Sequence, residues 1–182
     1  MKKLLFICLS VFLLGEYVMG QDADMSDLDY YNKAVYSIKK KGDISSGKIY
    51  MDLAFSKGLG VPTVAAVFFI YQELDEAFEA KNPNYFYVPW SMCDGILNYC
   101  KPTEEEKEKI YAARGVSKLN IAISKNIKDP LNYCYCKDDL EKGGEYGKAV
   151  IQEYKGKTQK QQNRQKAPQG KRLKKDPNFK IE

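Results

Sequence analysis

Downstream of residue 25, apolar side chains recur three or four positions apart, the period of a helix with one buried face. Leu28, Tyr31, Val35 and Ile38 follow this spacing behind Ser26 and Asp29, a pair able to close a capping box. Lys39, Lys40 and Lys41 stand where a helix dipole favours cations, and Gly42 supplies a stop, so a first helix is predicted over residues 27–41. Asp43 can cap a second helix reaching about Ser56, with Gly47 in its interior weakening it by about 1 kcal/mol against Ala. Pro62 suits the first position of a third helix, because its missing N–H would be unpaired there in any case. Val64–Tyr71 is apolar on all sides, and Leu74, Ala77 and Phe78 continue on one face. This pattern predicts a helix with a buried first half and a second half reaching the surface. A buried strand over 64–71 is the alternative; the alanine pair and the long continuation favour helix.

Asn82-Pro83-Asn84 marks a turn, and Tyr85–Trp90 follows as an aromatic segment expected to run extended across the helices. The same residues could instead form a ligand-facing platform of Tyr85, Tyr87 and Trp90 for sugar rings or peptides. Ser91–Tyr99 fits a short helix. Thr103 and Glu106 then form a second capping box, opening a helix over about 104–127 with a break expected near Gly115. Asp129-Pro130 ends it. Residues 134–136 read as short and extended, and 138–154 as a last helix whose first half Gly143, Gly144 and Gly147 weaken. The expected architecture is mostly α: one helical domain of about five helices over residues 21–154.

The ends of the chain differ from this body. Lys2 and Lys3, an apolar run from Leu4 to Leu14, and Val18-Met19-Gly20 have the three zones of a signal peptide, with cleavage expected before Gln21. An apolar run of that length falls short of the ~20 residues that span a bilayer as a helix. From Lys155 the helical periodicity fades into Gln, Lys, Gly and Pro, so residues 155–182 are expected to be a disordered basic tail. The net charge of +5 hides this partition: the tail carries ten Lys or Arg against two acids, and residues 21–154 are left at −4. Such a tail, including Lys171, Arg172, Lys174 and Lys175, could hold a polyanion or an anionic membrane surface.

Chemistry is bounded most by the absence of histidine. It removes Ser-His-Asp and Cys-His catalysis and every metal site built on imidazole. Carboxylate chemistry remains, with Glu73 and Glu76 as neighbouring acids on the third helix and a solvated helix face as the plainer explanation. No metal site and no cofactor is expected. Cys93, Cys100, Cys134 and Cys136 follow the N-terminal segment, and an even number in an exported chain suggests two disulfides. Two helical turns, roughly 10 Å, would separate Cys93 from Cys100, and a Cys134–Cys136 bridge would close a strained ring. Both pairings that link residues 93–100 to residues 134–136 stay open.

The function these features favour is an exported, non-catalytic binding or interaction protein, periplasmic or extracellular, with another protein as partner. A periplasmic accessory, an inhibitor or immunity-type protein and a secreted effector all fit. A carboxylate-dependent glycan hydrolase and a polyanion binder acting through the tail are the alternatives.

Overall fold

The computed structural model describes residues 25–59 and 63–166, with side chains as far as residue 160. Seven α-helices and no strand are found among the described residues. They are α1 (Asp27–Tyr36), α2 (Ile44–Ser56), α3 (Thr63–Ala80), α4 (Tyr87–Tyr99), α5 (Glu104–Ser124), α6 (Cys136–Lys142) and α7 (Gly144–Lys166). The mostly α class is as expected, with seven helices in place of five. The N-terminal segment, Pro62 and residues 167–182 lie outside the described residues.

Local signals set several boundaries. The Ser26/Asp29 and Thr103/Glu106 capping boxes are both closed, each side chain satisfying the other residue's backbone N–H. The first helix passes into a π-helical turn over Ser37–Lys41 and stops at Gly42, whose φ of +68° is the left-handed geometry glycine adopts without strain. Asp43 caps α2 by accepting from the Ser46 N–H at 3.1 Å.

α5 is the central element. It packs on α3, α4, α6 and α7, and buried positions from Ile110 to Ala122 occupy most of its circumference. The expected break at Gly115 does not occur. A Cβ there would stand 2.6 Å from the Leu140 side chain, so the glycine serves the close seating of α6 on α5. α1 and α2 pack as a hairpin, and α2 also lies against α4.

Other expectations are corrected. Tyr85–Trp90 is helical, not extended: a 3-10 turn over Pro83–Phe86 leads into α4, whose third residue is Pro89. Proline is tolerated there because first-turn N–H groups have no intrahelical acceptor. Residues 134–136 are not extended either, since Cys134 (φ +47°) and Tyr135 (φ +58°) are consecutive left-handed residues leading into α6. The first half of α3 is only partly buried; Val64, Phe68 and Phe69 face outward. α7 runs on as helix from Gly144 to Lys166, across residue 155.

Candidate functional site

Glu73 and Glu76 come together, but around a lysine. Lys39, in the π-helical turn, places its ammonium 2.7 Å from a carboxylate oxygen of each. The Tyr31 hydroxyl donates to Glu73 Oε1 at 3.3 Å. Burial opposes the Lys39 charge, yet the two carboxylates outweigh it and hold the ammonium above its usual pKa. Burial, with the Glu73 charge behind it, pushes the Tyr31 phenol well above its normal range. Two acids sharing one cation form a tie between the hairpin and α3.

Tyr87 and Trp90 are buried, and Tyr85 is half-buried. The Trp90 ring stacks on Tyr87 at 5.6 Å and 16°, and Tyr133 meets it edge-on at 6.4 Å. These rings are packing elements, not an exposed platform. Cations surround them: Lys48 Nζ lies 3.7 Å and Lys118 Nζ 5.2 Å from the Trp90 ring centre, while Lys125 Nζ donates to the Tyr87 hydroxyl at 2.8 Å. Beside them is an ion network that sequence reading missed. Asp139 is 3% exposed. It accepts from Arg114 Nε at 3.0 Å, Arg114 Nη2 at 2.6 Å and Lys118 Nζ at 2.6 Å. Arg114 Nη1 also donates to Asp94 Oδ1 at 2.9 Å. Every charge in this group has a partner, the condition for burying it at all.

Cys93, Cys100, Cys134 and Cys136, the cysteines among the described residues, form no disulfide there, which corrects the expected cross-links. Cys93 and Cys136 are buried, Cys100 is half-buried and Cys134 is exposed. The Cys136 thiol donates to the Gly115 carbonyl at 3.3 Å. Burial pushes it up to about 12 and raises Cys93 further, so both are protonated at neutral pH. Among the described residues, no three Cys, Asp or Glu converge on a metal-binding position. No helix there is long and apolar enough to cross a membrane. Lys171, Arg172, Lys174 and Lys175 lie outside the described residues.

One surface hollow is almost wholly apolar. Phe55, Ala66 and Met92, all buried, line a pocket of about 240 Å³ together with Tyr31, Leu59, Leu28 and Phe69. Leu28 is 57% exposed and Phe69 44%, while Val64 and Phe68 on α3 are 69% and 60% exposed. The register explains the arrangement. Val64 and Phe68, four residues apart, share one face of α3, and Ala66, Val67 and Ile70 turn inward. Large exposed apolar side chains beside an open apolar hollow are unusual on a surface that only meets water. The arrangement can bind apolar groups, and the pocket offers no ionisable pair to drive a reaction. No protein-family profile, curated protein or solved structure matches the chain.

Proposed function

We propose that the chain is an exported, non-catalytic binding protein that recognises a protein partner through the apolar surface of Leu28, Val64, Phe68 and Phe69. The observation that carries this reading is the clustering of exposed Leu28 and Phe69 at an apolar pocket of about 240 Å³. A side chain of the partner would seat in the pocket, as the buried anchors of protein interfaces do. The engagement of Glu73 and Glu76 by Lys39 supports a non-catalytic role.

Export rests on the three-zone N-terminal segment, and the destination is the periplasm or the extracellular space. Unbridged thiols are compatible with an oxidising compartment where they are buried, as Cys93 and Cys136 are.

The test is affinity capture from the native extracellular or periplasmic extract with three baits: the chain from Gln21, its Phe68→Asp/Phe69→Asp variant, and a form ending at residue 166. A partner held by the first and third baits and lost by the second supports the proposal. A partner held equally by the first two, and lost on truncation, would move recognition to the basic C-terminal segment.

A further inference from the structure

A second hollow, of about 430 Å³, lies between α2 and α4 and shares no lining residue with the apolar pocket. Its polar walls come from facing helices: Lys48 and Asp52, one turn apart on α2, and Ser91 and Asp94 on α4. Ile49 and Leu53 supply apolar wall.

Each charge here makes a defined contact yet keeps binding capacity. Lys48 holds its ammonium 3.7 Å from the Trp90 ring centre and makes no ion pair within 4.0 Å among the described residues, unlike Lys118 and Arg114. Asp94 Oδ1 accepts from Arg114 Nη1 at 2.9 Å, and its Oδ2 takes no hydrogen bond among the described residues. Asp52 accepts from the Tyr99 hydroxyl through Oδ2 at 3.0 Å, and its Oδ1 is likewise unengaged. Preset groups with spare acceptors and donors lose little freedom when a ligand arrives.

The mixture of signs selects the ligand. A simple anion on Lys48 would stand near two carboxylates, and a simple cation on Asp52 or Asp94 would stand near an ammonium. A molecule carrying both charges satisfies both poles. We propose that this cleft binds a free amino acid as its zwitterion, with the carboxylate on Lys48, the ammonium on Asp94 and Asp52, and an apolar side chain along Ile49 and Leu53. Burial, only partly offset by Asp94, lowers the Lys48 pKa; an arriving carboxylate reverses that effect.

Trp90, the chain's single tryptophan, reports the event because Lys48 rests against its ring. The chain from Gln21 is titrated with L-leucine, with leucinamide, which lacks the carboxylate, and with N-acetyl-leucine, which lacks the ammonium. Leucine should shift Trp90 emission saturably, and each analogue should bind about tenfold or more weakly. Lys48→Met should weaken leucine binding by a similar factor, read by calorimetry because this change itself alters Trp90 emission. Asp94→Asn should do the same; Asp52→Asn, on the exposed rim, gives the same readout should loss of the Arg114 contact unfold the Asp94 variant. Equal binding of all three compounds, or no leucine binding up to about 10 mM, would overturn the proposal.

Discussion

Replacing Asp139 with Ala removes one carboxylate that holds a buried cation, Lys118, and a partly buried one, Arg114. Lys118, whose side chain is 7% exposed, then has no carboxylate within ion-pair distance, and Arg114 keeps only Asp94. Breaking a buried pair from one side costs about 3–5 kcal/mol, mostly because the remaining charge is stranded. That is a large share of the ~5–15 kcal/mol that holds an ordinary domain folded. Urea unfolding followed by Trp90 emission measures it, since Lys118 lies 5.2 Å from that ring. With a denaturant slope of about 2 kcal/mol/M, the midpoint should fall by about 1.5–2.5 M. A second variant separates the charge from the packing. Asp139→Leu combined with Lys118→Met and Arg114→Met leaves only the partly exposed Asp94 without its cation and should recover most of the loss. A loss below about 1 kcal/mol for Asp139→Ala would refute the reasoning, because it would mean that Lys118 and Arg114 reach water when released.

Further outcomes follow from individual contacts. Gly147→Ala should destabilise the protein by about 1–3 kcal/mol, because the new methyl would strike the Leu140 backbone carbonyl; Gly156→Ala, with open space around it in the same helix, should instead raise stability by about 0.5–1 kcal/mol. Thermal unfolding of the two variants checks the opposite signs, and a shared sign would contradict the packing of α7 on α6. Iodoacetamide at pH 8 should label Cys134 first, Cys100 next, and Cys93 and Cys136 only after unfolding, as peptide mass mapping would show. Burial raises the pKa of Cys136 from 9.0 and of Tyr71 from 10.0, each to about 12. The folded state therefore holds protons that the unfolded chain releases, and stability should fall as pH rises from about 9 to 12. A urea midpoint unchanged between about pH 8 and 11 would contradict this.

The sequence is legible where structure is decided within a few residues. Ser26 with Asp29, Thr103 with Glu106, and Gly42 act on their own neighbours, and each does what its type and position predict. It is less legible where distant segments meet. Gly115 resembles a break until Leu140, 25 residues on, is seen to need the space. The run from Val64 to Tyr71 is apolar on all sides, so composition alone does not separate a buried face from one offered to a partner. The aromatic run Tyr85–Trp90 suggests extended chain, but it lies in a 3-10 turn and the first turn of α4, where Pro89 is tolerated. Asp94, Arg114, Lys118 and Asp139 lie on three helices, at separations that no motif records. The cysteine count suggested bridges, but Cys93 and Cys136 are accommodated as buried thiols, a role that an even number of cysteines does not reveal.

The continuation of α7 sets a length scale. A helix advances about 1.5 Å per residue, against roughly 3.3–3.6 Å for extended chain. Residues 155–166 therefore act as a strut of about 18 Å where an extended tether would reach about 40 Å. A partner engaging the basic residues beyond Lys166 would be joined to the body through helix and not through an extended tether. Its effective concentration near the body then depends on the direction of that helix, and lengthening or shortening the helix by two residues would swing the attachment point about 200° around the axis.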